Sequence, residues 1–447
     1  MIPDYCKKLI RLLNKNGYEA YVVGGAVRDI LMGKVPHDYD VATSATPDET
    51  KKVLEDSGIR TIIENGIKHG TVTGIIDDHL MEITSYRVES GYTDSRRPDS
   101  VAFTRNIEED VRRRDFTINA MYLDSESNIV DLTGGREDIK NQIIRAVGNP
   151  YERFNEDALR ILRALRFASR LGFKIEEKTS KAMHELRNNL NLISAERIHS
   201  ELTGILTHKY ATDVIREFHD IFEVIIPEVE ATIGFDQMSK YHHLDVFEHT
   251  LAVLDGIPLD ADGCRDEALS YAAFFHDIGK PVVFYIGEDG RGHMVNHQEA
   301  SEKIAREFCT RLKFSTKLTK DISNLVLLHD SFPKLQEVVI NKFIARYTLE
   351  FCERLYVIQR ADILAHSPVG LKRLDTLEAI IRTKDNLVNS NACFSLKDLV
   401  VNGNDLKAAG ITDGRRIGGV LNRLLEAVIE KRIVNEFDAL IQYALKL

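Results

Sequence analysis

The stretch YVVGGAVRDILMGKVPHDYDVAT, residues 21–43, decides which fold to expect at the start of the chain. Its apolar run at residues 21–23 predicts a strand that ends at Gly24 and Gly25, and the residues that follow can begin a helix. Paired glycines let backbone N–H groups approach a bulky anion, and a helix N-terminus favours phosphate. The stretch therefore indicates a strand, a glycine turn and a helix that could hold a phosphate group.

Two acidic residues, Asp38 and Asp40, follow this helix. If residues 38–42 form a strand, its period of two puts both carboxylates on one face, pointing at whatever the glycine turn holds. Two convergent carboxylates beside a triphosphate can bind divalent ions, as phosphoryl or nucleotidyl transfer requires. Glu82, in the alternating segment MEITSYRV, is a candidate third carboxylate, with a plain solvent-facing glutamate as the alternative.

The composition is ordinary for a globular protein, and its 447 residues predict two to four domains. No stretch reaches the roughly 20 apolar residues of a membrane span, and charges interrupt the apolar runs near the N-terminus, so we expect neither a membrane association nor a signal peptide. Five scattered cysteines without a C-x-x-C pair favour reduced thiols and a cytoplasmic location. The net charge of −10 argues against a general nucleic-acid coat, so nucleic-acid binding would need local basic surfaces.

A basic motif, VRRRDFTINAMYLD at residues 111–124, follows a turn-rich basic segment at residues 89–105. Arg113 and Arg114 offer guanidinium groups suited to phosphate, while Asp115 and Asn119 could hold a ribose hydroxyl or orient an arginine. On its own such a basic cluster is more often a solvated surface. Whether it indicates phosphate binding therefore depends on the segments that follow.

From residue 153 the pattern predicts helices. One face carries an apolar stripe formed by Ala158, Ile161, Leu162, Leu165 and Ala168. The other side carries four charged residues: Asp157, Arg160, Arg163 and Arg166. Asp157 and Arg160 could hydrogen-bond a cytosine or adenine edge while the outer arginines take phosphates, with a solvated charged face as the alternative.

Residues 242–362 contain a different constellation of histidines and aspartates on five separated segments. Its members are His249, His276, Asp277, His297, His329 and Asp362. Each alone would more often be structural, but an adjacent His-Asp pair among four further such residues is hard to assign to chance. Imidazole and carboxylate together suit a divalent metal ion that activates water.

Together these motifs resemble the class II (bacterial-type) CCA-adding tRNA nucleotidyltransferases. The resemblance rests on four segments in order: Gly24-Gly25-Ala-Val-Arg28-Asp29, Asp38-x-Asp40, Arg113-Arg114-Asp115-Phe-Thr-Ile-Asn119-Ala and Glu156-Asp157-x-x-Arg160. It spans residues 1–230, with a short motif around 400–425. Residues 242–362 are similar to HD-type metal-dependent phosphohydrolases, as in family members with an appended HD domain.

The resemblance implies an α+β fold, with a polymerase-β-like nucleotidyltransferase palm of mixed sheet plus helices. An all-α neck and body, an HD helical domain and a helical tail would follow. The implied domains are residues 1–150 (head), 151–235 (neck, for nucleotide selection and RNA binding), 242–365 (HD domain) and 366–447 (tRNA-binding tail).

The resemblance also implies roles and partners. Asp38 and Asp40 would bind catalytic Mg²⁺, with Glu82 as the third carboxylate, and the substrates would be tRNA, CTP and ATP. The implied nucleotide-binding residues are Gly24, Gly25, Arg28, Arg114, Asp115, Asn119, Asp157, Arg160, Arg163 and Arg166. The segment YTDSRRPDSVAF, residues 92–103, resembles the family's flexible loop, which is needed to switch from C to A and argues against an enzyme that adds only CC.

Several alternatives stay open at this point. Bacterial poly(A) polymerases share the palm motifs, although residues 68–72 (KHGTV) are closer to the CCA enzymes, and an enzyme that adds only the terminal A is separated poorly. The HD segment could instead carry the main activity, with a front half that senses nucleotides. A non-catalytic RNA-binding protein fits poorly with the acidic net charge. The metal and substrate of the HD segment and the oligomeric state are open.

Overall fold

The computed structural model describes residues 2–59, 61–62, 70–90 and 100–447. It divides the chain into two compact units, Met1–Pro227 and Glu228–Leu447. Residues 68 and 69, and most of the expected flexible loop at residues 92–103, lie outside the described residues.

The first unit is built on a seven-stranded mixed sheet. The strands of this unit, in chain order, are β1 (Ala20–Val23), β2 (Asp40–Thr43), β3 (Thr61–Ile62), β4 (Thr71–Ile76), β5 (His79–Ser85), β6 (Arg87–Ser90), β7 (Ser100–Phe103), β8 (Met121–Leu123), β9 (Ile129–Asp131), β10 (Ile143–Ile144) and β11 (Lys174–Ile175). The sheet order is β3-β4-β5-β2-β1-β8-β9, and β2 runs parallel to β5 while the other neighbours are antiparallel. Strands β6 and β7 form a separate antiparallel hairpin, and β10 and β11 a short parallel pair.

Eleven helices in the described part of this unit surround and extend the sheet. They are α1 (Asp4–Lys15), α2 (Gly25–Leu31), α3 (Pro47–Asp56), α4 (Ile107–Arg112), α5 (Gly135–Lys140), α6 (Pro150–Glu156), α7 (Leu159–Leu171), α8 (Glu177–Leu186), α9 (Ala195–Leu206), α10 (Ala211–Glu217) and α11 (His219–Ile225). Helix α3 begins with a capping box between Thr46 and Glu49, and Pro47 occupies its first turn. Helix α1 buries Leu9 and Leu13 in the core beneath the sheet.

The sheet register sets the positions of the acidic residues. Strand β2 begins at Asp40, two residues later than the expected start at residue 38. The alternation is nevertheless present, because Tyr39 is buried while Asp38 and Asp40 are exposed. Val41 pairs with Ile83 in the parallel register, so Asp40 and Glu82 lie side by side one residue earlier on each strand.

The helical segment after residue 150 differs from the expected continuous helix. Helix α6 ends at Glu156 and α7 begins at Leu159, and Asp157 between them is extended, with φ −144° and ψ 102°. The Asp157 carboxylate accepts the Leu159 N–H at 3.1 Å. Aspartate favours such breaks because its side chain competes with the helix for backbone N–H groups. The predicted apolar stripe is confirmed, since all five of its residues are buried.

The second unit is largely helical. Its helices are α12 (Val246–Asp255), α13 (Glu267–Phe275), α14 (Lys280–Val283), α15 (His297–Arg311), α16 (Thr316–Leu328), α17 (Glu337–Tyr347), α18 (Leu349–Leu364), α19 (Arg373–Asn389), α20 (Gly403–Ala408), α21 (Gly414–Ile429) and α22 (Phe437–Ala444), with a hairpin of β12 (Tyr285–Ile286) and β13 (Gly292–His293). Helices α17, α18 and α19 share one apolar core, and residues from Leu399 to the C-terminus form another. Among all described helices, none combines the length and apolar character that crossing a bilayer requires.

Candidate functional site

A cavity of about 520 Å³ in the first unit collects most of the expected nucleotide-binding residues. Its lining includes Gly24, Gly25, Arg28, Asp40, Arg87, Arg113, Arg114, Asp115, Asn119, Asp157, Leu159, Arg160, Arg163, Phe167 and Arg197. We refer to this cavity as the nucleotidyl cleft. Residues as distant in sequence as Gly24 and Arg197 thus meet in one place, because β1, β2, α4, α7 and α9 all bring an end or a face to the cavity.

The glycine turn forms one wall of the nucleotidyl cleft. Gly24 has φ +70° and ψ −136°, a backbone conformation that residues with a Cβ rarely adopt. A Cβ on Gly25 would lie 3.3 Å from Nη2 of Arg28, so a side chain there would press on the arginine. The two glycines therefore keep this wall as bare backbone that a ligand can approach closely.

Of the three expected catalytic carboxylates, Asp40 lines the cleft, with Asp38 two residues before it and Glu82 beside it on β5. Desolvation raises the pKa of the Asp40 carboxyl, and the negative charges of Glu82 and Asp38 raise it further. The three carboxyl groups are therefore close enough to interact, although they are not among the described groups whose ligand atoms all lie within 4.8 Å of one another. Oxygen donors of this kind are the ligands that Mg²⁺ prefers.

A chain of hydrogen bonds holds two arginines in the cleft. Arg28 is buried, and its Nη1 donates to Oδ1 of Asn119 at 2.8 Å. Asn119 in turn donates to Asp115 at 3.4 Å, and Asp115 Oδ2 accepts from Nη2 of Arg163 at 2.6 Å. Burial raises the pKa of Asp115, but the Arg163 charge outweighs this and keeps it below its usual range. Asp115 and Asn119 thus have arginine partners, the second of the two roles expected for them.

The expected base-selecting pair lies at the break between α6 and α7. Asp157 accepts a hydrogen bond at 2.6 Å from Nη2 of Arg197 on α9. Arg160 donates to the backbone carbonyls of Arg153 and Arg113, each at 2.9 Å, and to Glu156 at 2.6 Å. These three bonds leave its Nε–H and one Nη2–H without a partner in the described part of the chain, so the guanidinium is fixed but retains donors.

Arg166 is not brought to the cleft. Its Nε donates to Glu201 on α9 at 2.6 Å, and its guanidinium lies over the Phe167 ring at 4.8 Å. Arg166 lies three residues after Arg163, which is almost one full turn further along α7 at about 100° per residue. At that position its side chain contacts α9. It therefore joins α7 to α9, and the structure does not place it among the cleft-lining residues.

Sequence reasoning missed several residues of the cleft. Arg87 at the start of β6 and Arg197 on α9 both line it, and Asp110 holds Arg113 and Arg114 from behind. Asp110 precedes these arginines by three and four residues, a helical spacing that could have identified it. Nothing in the local sequence signals Arg87 or Arg197, because only the fold brings them near.

The second unit brings all six expected histidines and aspartates together. His249 Nε2 lies 3.0 Å from Asp362 Oδ1 and 3.4 Å from Asp277 Oδ2. On the other side, Asp277 Oδ1 lies 3.3 Å from His297 Nε2 and 3.7 Å from His329 Nε2. We refer to the six as the His-Asp cluster. His242 and His366, which sequence reasoning did not select, adjoin it through His249.

Backbone carbonyls orient three of these imidazoles. The Nδ1 atoms of His276, His297 and His329 each lie 2.7 to 3.0 Å from the carbonyl oxygen three residues earlier. A carbonyl only accepts, so Nδ1 carries the proton in each ring and Nε2 points into the cluster. Burial lowers the pKa of His276, but the charges of Asp277 and Asp362 outweigh this and raise it. Burial lowers the pKa of His329 to about 4 and also lowers that of His297, which keeps both rings neutral. This is the arrangement of metal-binding histidines.

Asp277 is the centre of the cluster. Both of its carboxylate oxygens are buried and make no well-directed hydrogen bond among the described residues. Burial raises its pKa, but the charges of His276 and Lys280 hold the value well below the usual range. Lys280 Nζ lies 2.6 Å from Oδ2. An ionised, buried carboxylate facing the neutral imidazoles of His297 and His329 fits a divalent transition metal. A cavity of about 410 Å³ opens over it.

Comparison with known proteins decides the family. A CCA-adding enzyme of Ligilactobacillus salivarius is 34% identical over 459 aligned positions, which cover 100% of this chain and 98% of that protein. The chain belongs to the class II CCA-adding enzymes. These are tRNA nucleotidyltransferases, so the chain is an enzyme of that class.

Family models and solved structures agree with this assignment. The poly A polymerase head domain matches residues 20–145, a polymerase A RNA- and SrmB-binding-site model matches 172–233, and tRNA nucleotidyltransferase domain 2 matches 294–444. The Bacillus stearothermophilus CCA-adding enzyme in complex with CTP superposes with a TM-score of 0.70 at 27% identity, covering 100% of this chain and 98% of the other. The Thermotoga maritima CCA-adding enzyme complexed with tRNA-CCA shares the fold, with a TM-score of 0.57 at 21% identity over 98% and 94% of the two chains.

The expected fold class is confirmed by these CCA-adding enzymes. The first unit contains the polymerase-β-like nucleotidyltransferase head with its mixed sheet, and the rest of the chain is largely helical. The nucleotidyl cleft lies within the first unit and draws residues from both the head model and the helices that follow it.

Proposed function

We propose that this enzyme adds C, C and A in turn to the 3′ end of tRNA, using CTP and ATP and releasing pyrophosphate. The observation that carries the proposal is the nucleotidyl cleft, where the glycine turn, Asp40, several arginines and the Asp157–Arg160 pair line one cavity. The descriptions of its relatives support it, because the Bacillus stearothermophilus enzyme is described in complex with CTP and the Thermotoga maritima enzyme with tRNA-CCA.

Asp38, Asp40 and Glu82 would hold Mg²⁺. In support, Asp38 and Asp40 alternate with the buried Tyr39, Glu82 lies beside Asp40 on the neighbouring strand, and burial together with the charges of Glu82 and Asp38 raises the pKa of Asp40. Bound there, Mg²⁺ would neutralise charge on the attacking and leaving oxygens. Asp40 on β2 and Glu82 on β5 would hold the ions from adjacent strands, whose register is fixed by the pairing of Val41 with Ile83.

The chain would hold the triphosphate with backbone and arginines. Gly24 and Gly25 admit the phosphates close to the main chain, and Arg114 and Arg163 supply fixed guanidinium groups. Arg28 braces the turn from behind through Asn119. The reaction joins the 3′-oxygen of tRNA to the α-phosphorus, and pyrophosphate leaves toward the arginines.

Asp157 and Arg160 would select the base. Cytosine and adenine both offer an exocyclic amine beside a ring nitrogen, whereas uracil has no amine. Asp157 would accept from the amine, since Leu159 and Arg197 occupy only part of its acceptor capacity. The remaining donors of Arg160 would meet ring nitrogens or carbonyl oxygens. The loop at residues 92–103 would support the change from C to A.

Extension of defined tRNA transcripts tests this function. The purified protein is incubated with Mg²⁺ and transcripts ending at the discriminator base, at C or at CC, with CTP, ATP or both. The proposal predicts addition that stops at CCA. Extension of the CC-ended transcript alone, by one A, would indicate an A-adding enzyme. A long A ladder would indicate a poly(A) polymerase, and no extension would leave the His-Asp cluster as the main site.

We further propose four functional parts: a head (residues 1–150), a neck (151–235), an HD domain (242–365) and a tRNA-binding tail (366–447). In support, no described strand of the seven-stranded sheet extends beyond Asp131, and helices follow from residue 150. Within the tail, α19 packs on α17 and α18, and a separate apolar core begins at Leu399.

A second activity, hydrolysis of phosphate esters at the His-Asp cluster, is favoured by its geometry. The neutral, oriented imidazoles and the ionised Asp277 would hold a divalent metal ion, which would supply an activated water. Lys280 beside Asp277 and Arg373 beside Asp330 line the 410 Å³ cavity, and together with a bound metal ion they would supply the positive charge that a phosphate needs. Phosphomonoesters and 2′,3′-cyclic phosphates are the expected substrates.

The metal content tests this second proposal independently of activity. After dialysis against Mg²⁺, Mn²⁺, Co²⁺ or Ni²⁺, mass spectrometry of the native protein should detect a metal ion that the His276→Ala variant does not retain. The same variant should lose hydrolysis of p-nitrophenyl phosphate and 2′,3′-cyclic AMP. Equal metal content in both proteins would contradict the proposed site.

A further inference from the structure

Asp110 is a fully buried carboxylate that lies behind the nucleotidyl cleft without lining it. It is on α4, and each of its oxygens serves a different arginine. Oδ1 accepts from Nε of Arg113 at 2.8 Å, and Oδ2 accepts from Nη2 of Arg114 at 3.1 Å. Both arginines line the cleft. The carboxylate of Asp110 therefore binds two of the arginines that line the nucleotidyl cleft.

Tyr122 on β8 completes the clamp around Arg114. Its hydroxyl donates to Asp110 Oδ2 at 2.6 Å and accepts from Nε of Arg114 at 2.9 Å, while its ring lies 4.8 Å beneath the guanidinium carbon. Asp110 also faces the backbone N–H of Arg87, at 3.4 Å, where the hairpin β6–β7 begins. The contacts fix the guanidinium of Arg114 through Nε, through Nη2 and through its face.

Asp110 is an ionised carboxylate buried between the guanidinium groups of Arg113 and Arg114. Burial raises the pKa of Asp110, but the charges of Arg114 and Arg113 lower it below its usual range, so the carboxylate is ionised at neutral pH. Cations that are already oriented need not be ordered when a triphosphate binds.

We infer that Asp110 is a positioning residue for nucleotide addition, which fixes Arg113 and Arg114 for the triphosphate of the incoming CTP or ATP. The inference rests on the proposed function of the nucleotidyl cleft. It goes beyond that function, because Asp110 touches neither nucleotide nor metal and acts only through the two arginines.

The test compares Asp110→Asn with a matched control, Glu176→Gln. Glu176 also binds a backbone N–H, a hydroxyl and an arginine, but its partners Thr179 and Arg145 do not line the cleft. Asp110→Asn keeps the shape and removes the charge. We expect kcat/KM for CTP and ATP to fall roughly tenfold or more, while KM for tRNA stays within about twofold. The control should keep kcat/KM for both nucleotides at the level of the unmodified enzyme.

Tyr122→Phe provides a second variant that keeps the aromatic packing. It removes only the hydroxyl between Asp110 and Arg114, and we expect a smaller loss in kcat/KM for the nucleotides with KM for tRNA again unchanged. The inference is overturned if Asp110→Asn and Tyr122→Phe lose no more kcat/KM than Glu176→Gln, measured below the melting temperatures of all three. If the unmodified enzyme does not extend tRNA, the proposed function fails instead.

Discussion

At the scale of single residues, Asp38 offers the most direct test of the nucleotidyl chemistry. Asp38→Ala removes one of the three carboxylates that we propose as Mg²⁺ ligands, and we expect CCA addition to fall to background because too few oxygen ligands would remain. Binding of tRNA, measured by filter retention, should persist. The exposed Asp56 at the end of α3 serves as the control, and Asp56→Ala should keep full activity. Normal turnover in Asp38→Ala would refute the metal assignment.

Under the proposed function, Asp157 and Arg160 select the base. With both replaced by alanine, discrimination of CTP and ATP against UTP and GTP should drop by about 10- to 100-fold, which corresponds to the roughly 1–3 kcal/mol of a base-reading pair. Affinity for tRNA should change much less. Competition assays with mixed nucleotides on a tRNA ending at the discriminator base measure the ratio. Unaltered discrimination would show that other groups read the base.

Asp40 should make the stability of the metal-free protein depend on pH. Its pKa is raised in the folded protein, so the ionised carboxyl costs stability above that pKa, and the cost disappears as the pH falls below the pKa of the unfolded chain. We therefore expect Asp40→Asn to raise the melting temperature without Mg²⁺ at pH 7.5, with a difference that shrinks toward pH 4. Thermal unfolding at both pH values measures it. A melting temperature that is equal or lower at pH 7.5 would contradict the assignment.

Residue types and spacing predicted which side chains have the right chemistry, but not what each one binds. Asp115 and Asn119 were expected near a sugar or an arginine, and only the fold shows that Arg163 and Arg28 are their partners. Arg166 is an arginine three residues after Arg163 on the same helix. Its Nε nevertheless donates to Glu201 on α9 and not to a residue of the cleft. Partners distant in sequence cannot be inferred from a local pattern.

At the scale of elements, the glycine turn can be tested against another glycine with a positive φ. Gly24 and Gly33 have φ of +70° and +71°, and a Cβ at either would meet open space. Alanine at either position should cost stability, about 1–3 kcal/mol, because L-residues rarely adopt this φ. Only Gly24 lies in the cleft, so only Gly24→Ala should also raise KM for CTP.

Steady-state kinetics and chemical denaturation of the two variants measure these effects. Loss of nucleotide addition in Gly33→Ala to the same extent as in Gly24→Ala would show that the turn acts through stability alone. A KM for CTP that is unchanged in Gly24→Ala would show that the phosphates do not approach this wall.

The elements themselves follow from periodicity and capping where these signals are local. The apolar stripe on α7 and the start of α3 at Thr46 and Pro47 were both predictable. The break between α6 and α7 was not, because the apolar period continues through it. A hydrogen bond from Leu159 to the Asp157 carboxylate outweighs continuation of the helix there.

At the scale of the whole molecule, the nucleotidyl cleft and the His-Asp cluster belong to different compact units. We expect their activities to be separable by mutation. His276→Ala should abolish phosphate-ester hydrolysis and leave CCA addition intact, while Asp38→Ala should do the reverse. His243→Ala, at an exposed histidine beside the cluster, is the control and should keep both activities.

Both activities are to be measured on the same preparations, with tRNA transcripts and with 2′,3′-cyclic AMP. Loss of CCA addition in a folded His276→Ala variant would contradict the independence of the two sites. The six members of the cluster were predictable because they are metal-binding residue types on five separated segments. Their meeting depends on how α12, α13, α15, α16 and α18 pack, which no local pattern encodes.

The position of Asp157 also bears on how fast its side chain can rearrange. Its side chain projects from a two-residue break, where its contacts are the N–H of Leu159 and the guanidinium of Arg197. A change in its rotamer exchanges these hydrogen bonds without unwinding α6 or α7. Rotamer changes take picoseconds to nanoseconds, whereas shifts of whole helices take microseconds to milliseconds. Moving from one base to a larger one can therefore be much faster at this residue than any rearrangement of the helices that carry it.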